Sequence, residues 1–308
     1  MPRILVCDPI SEDAILKLKG AGFEVDFVRS PPPKILRDIV RDYDAMIVRS
    51  ATKVTREVID AAKNLKIIAR AGAGLDNIDV DYAISRGIKV ISAPEALSVA
   101  VAELTIGLMI SLMRGICEAC RLLKEGKWAK HQFLGSELYG KVLGIVGLGR
   151  IGSEVAKRAK AFGMEVLGYK RTKLKEVANE LGIAPARSLH DLLKRSDIVT
   201  IHVPLTRETW HMISKHEFEV MRRGAYIINT SRGAVVDGKA LLMALKRGIV
   251  AGAALDVHEH EPPVEEWEWE LIQHPRVLPT PHIGSMTREA QRRAGLIIAE
   301  RLIELLRL

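Results

Sequence analysis

Apolar and polar positions along this chain follow two rhythms. Short apolar runs at Arg3–Val6, Phe23–Phe27, Ala45–Val48, Lys66–Ala69 and Lys89–Ile91 read as strands. Between them, stretches such as Ser11–Lys19 and Arg56–Ala62 carry the apolar spacing of amphipathic helices. After Pro94 the rhythm changes. From about Ser98 to Gly115 the chain is apolar almost all round, which predicts a helix buried on most sides and suited to a subunit interface. A less regular arm with Trp128 and Phe133 occupies Leu122 to Gly140. A second series then begins, with strands expected at Lys141–Val146, Glu165–Tyr169, Ile198–Val203, Ala225–Asn229, Gly252–Leu255 and Val277–Leu278. Helices are expected at Ile151–Phe162, Lys173–Leu181, Leu189–Lys194, Lys239–Arg247 and Arg288–Leu306.

Strands alternating with helices predict parallel sheets covered on both faces. The fold class expected is therefore α/β, with two Rossmann-like or flavodoxin-like domains. The last helix is left over after the second sheet and is expected to cross back, which makes the first domain discontinuous. The expected boundaries are 1–95 plus 285–308 for one domain and 96–284 for the other.

Composition agrees with two domains, since 308 residues exceed what one core usually covers. The longest apolar stretch, Leu104 to Met113, lies between Glu103 and Arg114 and reads as a buried helix, so no membrane partner is expected. The amino terminus runs straight into the strand pattern Ile4-Leu5-Val6 without a signal peptide, and the expected location is the cytoplasm. Cys117 and Cys120 form a C-x-x-C inside an apparently continuous helical run. Without the further cysteines a zinc site needs, plain helix packing and no metal are expected there. The net charge of +8 is scattered among 38 acids with no long run of one sign, so nucleic acid is not the expected partner. A positive field instead suits small anionic substrates. Only seven Asn and Gln residues occur beside abundant Lys, Arg and Glu, the balance of a thermophile's surface.

Chemistry enters with Gly147-Leu148-Gly149-Arg150-Ile151-Gly152, which follows a strand and opens a helix. In that setting the glycines allow a tight turn, close approach to a pyrophosphate and close strand–helix packing, and the helix N-terminus favours the phosphates. The acid expected at the end of the next strand, for the ribose diol, is absent. Lys170, Arg171 and Lys173 stand there instead, which favours a 2′-phosphate, so NAD or NADP is the expected cofactor. A second glycine loop, Arg70-Ala71-Gly72-Ala73-Gly74-Leu75-Asp76-Asn77, lacks the third glycine and reads as an anion-binding loop with Arg70 beside it.

Arg232, Glu261 and His282 each lie just past a strand of the second series. A histidine can take and return a hydroxyl proton, a carboxylate favours its protonated form, and an arginine matches a carboxylate with two hydrogen bonds. His202 reads as an ordinary strand-end histidine. Taken with their flanks, these segments resemble the D-isomer-specific 2-hydroxyacid dehydrogenase family. The motifs are Val146–Gly152, Asn229-Thr230-Ser231-Arg232-Gly233, Gly252–Val257 and Thr280-Pro281-His282-Ile283-Gly284. The resemblance implies a substrate-binding first domain and an NAD(P)-binding second domain. It carries Arg232 onto substrate binding, Glu261 onto the partner of the histidine, His282 onto acid/base catalysis and Asp256 onto the nicotinamide amide.

Val48–Thr55, Arg70–Asn77 and the arm around Trp128 further resemble the phosphoglycerate dehydrogenase branch. That implies substrate contacts from Arg49, Arg70 and the backbone of Gly72, Ala73 and Gly74. The chain ends after its last helix, so that branch's C-terminal regulatory domains are expected to be missing. Leu97 stands where the branch usually has an asparagine, and with the Lys170-Arg171-Thr172 cluster it favours a glyoxylate or hydroxypyruvate reductase. A non-enzymatic, nucleotide-sensing corepressor-like module is the alternative of another class. A homodimer through the apolar helix and the arm is expected.

Overall fold

The computed structural model describes residues 1 to 307. In chain order the main elements begin with β1 (Arg3–Val6), α1 (Glu12–Gly20), β2 (Glu24–Phe27), α2 (Pro33–Ile39), β3 (Ala45–Val48), α3 (Arg56–Ala61), β4 (Ile67–Arg70), α4 (Val80–Ser85) and β5 (Lys89–Ser92). Next come α5 (Ser98–Arg114), α6 (Ile116–Lys124), β6 (Val142–Val146), α7 (Arg150–Ala161), β7 (Glu165–Tyr169), α8 (Leu174–Leu181), β8 (Ala184–Pro185), α9 (Leu189–Arg195) and β9 (Ile198–Ile201). The chain closes with α10 (Lys215–Val220), β10 (Ala225–Asn229), α11 (Gly238–Lys246), β11 (Val250–Leu255), α12 (Glu266–Gln273), β12 (Val277–Pro279) and α13 (Arg288–Leu306). By its contacts the chain divides into two compact units, Met1–Ser98 with the segment from Ser285 onward, and Val99–Gly284.

The first unit holds a five-stranded parallel sheet in the order β2-β1-β3-β4-β5, the flavodoxin-like arrangement. Ala45, Met46, Ile47 and Val48 of β3 are all buried, as a strand covered on both faces requires. The C-terminal α13 belongs to this unit and packs on α1. Gly295 permits the approach, because a Cβ there would stand 3.1 Å from the Cβ of Ala14. Ion pairs of Lys17 with Glu300 and Arg292 with Asp13 flank the contact. The unit is thus discontinuous in sequence.

The second unit holds a seven-stranded parallel sheet in the order β12-β11-β10-β9-β6-β7-β8. Strand order reverses between β6 and β9, the place where Rossmann sheets open a crevice for ligands. Successive residues feed opposite faces. Val199, Ile201 and Ile227 enter one apolar core, and Ile198 and Ile228 enter the other. Such strands must be apolar at nearly every position, which is why the sequence shows them so clearly.

Around α5 the structure corrects two expectations. Gly115 takes the left-handed conformation at φ 62° and breaks the helical run, so α6 starts afresh at Ile116. Cys117 and Cys120 lie near the start of α6 and are exposed, so they pack in no helix core. The segment Pro94–Arg114 is, by length and composition, apolar enough to cross a membrane, although no single unbroken apolar run shows it. Within the protein 56% of that window is buried, as for a core helix. Val99, Glu103, Gly107 and Arg114 form its exposed stripe.

Candidate active site

The chain leaves β6 through Gly147, whose φ of 100° excludes other residues without strain. A Cβ at Gly152 would stand 2.0 Å from the carbonyl oxygen of Gly147, so the turn closes only around glycine. Gly149 differs, because nothing lies within 4 Å of where its Cβ would be. Two glycines let the turn fold tightly, and the third leaves its outer side open. The first bond within α7 runs from the Ser153 N–H to the Gly149 carbonyl at 2.9 Å. The N–H groups of Arg150, Ile151 and Gly152 therefore stand at the positive end of the helix, on the strand-order reversal. These residues fit the pyrophosphate of a dinucleotide.

His202 borders this turn, since its carbonyl lies 2.5 Å from the position a Gly147 Cβ would take. Its Nε2 lies 2.9 Å from the Thr200 hydroxyl. Burial pushes the imidazole down to about 3, so the ring is neutral at any physiological pH. Lys170 follows β7 half-buried, and Arg171 and Lys173 are exposed. The Lys173 Nζ lies 3.9 Å from Glu176. Although the strand end itself has no acid, Glu208 stands within electrostatic reach of Arg171. A hydrogen bond from Thr206 chiefly holds its carboxyl below the usual range, and the Arg171 charge adds to this.

Arg232, Glu261 and His282 come from the loops after β10, β11 and β12, all on the C-terminal edge of one sheet. Buried Asn229 shapes the Arg232 turn. Its amide donates to the Arg232 carbonyl at 2.9 Å, and its oxygen accepts from the Ser231 N–H at 3.0 Å. Gly233 brings this turn against the next loop, because a Cβ there would collide with the His258 carbonyl at 2.0 Å. The His258 N–H donates to Glu261 Oε1 at 3.2 Å, and Glu261 Oε2 meets His282 Nδ1 at 2.6 Å. An ionised carboxylate only accepts, so Nδ1 carries the proton and Nε2 is the basic nitrogen of neutral His282.

This hydrogen bond to Glu261 is the main reason that the His282 pKa is raised. Burial opposes it, the charges of Glu261 and Asp256 reinforce it, and Arg232 counts against it. For Glu261 burial pushes upward, but the bond and charge of His282 prevail and its carboxyl lies below the usual range. His282 itself has a positive φ of 53°. Asp256, 1% exposed, holds that loop in place. Its carboxylate accepts from the Thr280 hydroxyl at 2.6 Å, the Ile283 N–H at 2.9 Å and the Gly284 N–H at 2.8 Å. Sequence reasoning gave Asp256 a nicotinamide contact only, and missed this role because two of its three donors are main-chain N–H groups.

In the first unit, Arg49 and the loop from Arg70 to Gly74 lie at the C-terminal ends of β3 and β4. Buried Asp8 fixes the Arg49 loop by accepting from the N–H of Arg49 at 2.5 Å, the N–H of Thr52 at 3.2 Å and the Thr52 hydroxyl at 2.9 Å. Arg70 Nε donates to the Gly74 carbonyl at 2.9 Å, so its guanidinium folds over its own glycine loop. Elsewhere, His190, His216 and Glu217 bring ligand atoms within 4.8 Å of one another, a cluster too dispersed in sequence to be noticed. Both imidazoles sit in first helical turns, where the dipole disfavours a cation, and Glu217 already accepts from the Ser214 N–H.

A Rossmann sheet with an open glycine turn at its order reversal, and a histidine–carboxylate pair on the same edge, defines the class of dinucleotide-dependent dehydrogenases. Residues 106–284 match the model of the D-isomer specific 2-hydroxyacid dehydrogenase NAD binding domain. The chain belongs to that family. It is 48% identical over 307 residues to D-3-phosphoglycerate dehydrogenase of Methanocaldococcus jannaschii, covering 100% of this chain and 58% of that protein. This chain therefore spans little more than half the length of that relative. It is 44% identical to hydroxypyruvate reductase of Thermotoga maritima, covering 98% and 97% of the two chains. Among solved structures, D-lactate dehydrogenase of Aquifex aeolicus, complexed with NAD and lactic acid, superposes with a TM-score of 0.84 at 30% identity, covering 99% and 94%.

Proposed function

We propose that this chain interconverts a D-2-hydroxy acid and its 2-oxo acid with NAD, and that the acid is D-3-phosphoglycerate, giving 3-phosphohydroxypyruvate. The observation that carries the reading is the 2.6 Å contact of His282 Nδ1 with Glu261, made within electrostatic reach of Arg232. In this reading Arg232 binds the substrate carboxylate through two parallel hydrogen bonds. His282 Nε2 takes the hydroxyl proton during oxidation and returns it during reduction, and Glu261 stabilises the imidazolium formed. The nicotinamide, when bound, supplies the hydride acceptor. Gly147, Gly149, Arg150, Ile151 and Gly152 would hold the pyrophosphate of the dinucleotide, Asp256 would serve the nicotinamide amide, and Lys170 and Arg171 would make NADP tolerable. Arg49, Arg70 and the backbone of Gly72, Ala73 and Gly74 bind the anionic end of the substrate.

A second reading, hydroxypyruvate or glyoxylate reductase, is favoured by buried Leu97 and by the near-complete coverage of the Thermotoga reductase. We further infer a homodimer. Ile116, Leu123, Trp128, Leu134 and Tyr139 are all exposed within one short stretch of chain, an apolar surface of the kind a subunit covers. NAD- and NADP-linked assays against 3-phosphoglycerate, glycerate, lactate, glyoxylate and hydroxypyruvate test the activity. Turnover with the D-acids and not their L-isomers is expected, and the phosphorylated acid should react fastest. His282→Ala should lose roughly 10²- to 10⁴-fold in turnover while still binding NADH. Full turnover in that variant would overturn the mechanism.

A further inference from the structure

Three carboxylate residues are buried among the described residues: Asp8, Asp256 and Glu268. Burying a carboxylate is unfavourable unless donors surround it. Asp8 takes donors from the loop that carries Arg49 and from the Ser30 hydroxyl, and Asp256 takes them from the loop that carries His282. Glu268 is the third, and the reading above gives it no task.

Glu268 is 3% exposed and lies in the first turn of α12. Its Oε1 accepts from the His260 N–H at 3.0 Å. Its Oε2 accepts from the Val264 N–H at 3.0 Å and the Glu265 N–H at 3.0 Å, and meets His260 Nδ1 at 3.1 Å. A carboxylate offers about four acceptor sites, and four donors fill them. Capping of α12 explains the bond from Glu265 alone. The others reach back over a segment with no regular structure, in which Glu261, Pro262, Val264 and Glu265 are exposed. Such a segment has few apolar contacts to fix it, and the Glu261 side chain within it is 39% exposed.

We propose that Glu268 is a positioning residue, whose buried carboxylate clamps residues 260–265 so that Glu261 stays on Nδ1 of His282. The proposal rests on reading Glu261 and His282 as the acid/base pair. His282 is faced by Glu261, Asp256 and Arg232, and Glu261 by His258 as well. Releasing the loop weakens the contacts of Glu261 with His282 and His258 and acts on neither Asp256 nor Arg232 directly.

The test is Glu268→Gln, which keeps size and shape. Whichever way the amide turns, its NH2 group faces an N–H donor, so the clamp opens. Oxidation of D-3-phosphoglycerate and of D-glycerate by NAD is followed against pH in the wild type, Glu268→Gln, Glu261→Gln and the double variant. Glu268→Gln should lower kcat by about tenfold or more through misplacement of the pair. It should also move the ascending limb of the pH profile toward lower pH, in the same sense as Glu261→Gln, without changing NADH affinity. In the Glu261→Gln background it should produce no further shift. His260→Ala, on a side chain 50% exposed, removes one donor without risk to the fold and should shift the limb less, in the same sense. A Glu268→Gln enzyme with lower thermal stability but an unmoved pH limb, or an added shift in the double variant, overturns the proposal. A profile unmoved by Glu261→Gln itself overturns the acid/base reading, and this proposal with it.

Discussion

Asp256→Ala separates two roles for one buried carboxylate. If its structural role dominates, the variant leaves the N–H groups of Ile283 and Gly284 and the hydroxyl of Thr280 without their acceptor. Thr280 can rotate toward another acceptor. The two main-chain donors cannot, and the Gly284 N–H is buried. An unsatisfied buried donor costs about 1–3 kcal/mol, and bonds to a charged acceptor lie at the high end, so a loss of about 3–5 kcal/mol is expected. In a unit of this size each kcal/mol lowers the melting temperature by about 2–4 °C, which predicts a drop of about 6–20 °C. Asp256→Asn keeps the acceptor on Oδ1 and turns a donor toward Gly284, so its loss should fall between wild type and alanine. Calorimetry and urea unfolding measure the stability, and NADH titration measures the cofactor affinity. A change below about 1 kcal/mol together with a large loss of NADH affinity would refute the structural role and leave the nicotinamide contact as the task of Asp256.

Three further outcomes follow from the geometry. The Glu261 hydrogen bond is the chief cause of the raised His282 pKa, and oxidation needs the neutral ring, so activity in that direction rises as pH climbs through it. Glu261→Gln should therefore move that limb to lower pH, and a stationary limb would count against the pair. Lys170→Asp should raise the KM for NADP far more than that for NAD, because a carboxylate there repels a 2′-phosphate and can hold a ribose diol. Equal changes would mean that the basic cluster is a solvated face, balanced in part by Glu208. Sedimentation at micromolar concentration should give a dimer, and Leu123→Asp, on a residue 58% exposed, should give a folded monomer. A wild-type monomer would refute the interface.

Strands buried on both faces were legible because every position along them is apolar, as in Ala45–Val48. Several elements with little burial were not. β8 is two residues, Ala184–Pro185, at the sheet edge. In α10 only Phe218 is buried, too few positions to show a period, although the Ser214 and Glu217 capping pair was present in the sequence. In α12 the run Glu266-Trp267-Glu268-Trp269 alternates like a strand. Gly115 interrupts a stretch with helix formers on both sides, and only its left-handed φ reveals the break.

Arg232, Glu261 and His282 could be proposed from sequence because the motifs around them resemble a known family and lie past strands, where an α/β sheet presents ligand-binding groups. Their supports could not. Asp8, Asp256 and Glu268 are three of 38 acids; the motif around Asp256 drew attention to it for another task, and nothing in the flanks of Asp8 or Glu268 distinguishes them from the solvated majority. What distinguishes them is burial, and a buried acid persists only where donors, here mostly main-chain N–H groups, converge on it. Backbone donors are common to every residue type, so the sequence carries no mark of where they converge. The side chains proposed for the chemistry are thus marked in the chain by their motifs, and the loop geometry that aims them emerges only when distant segments meet. Buried carboxylates saturated with main-chain N–H groups are accordingly the place to look for positioning residues in this protein, and the pH profile of Glu268→Gln is the measurement on which that argument stands or falls.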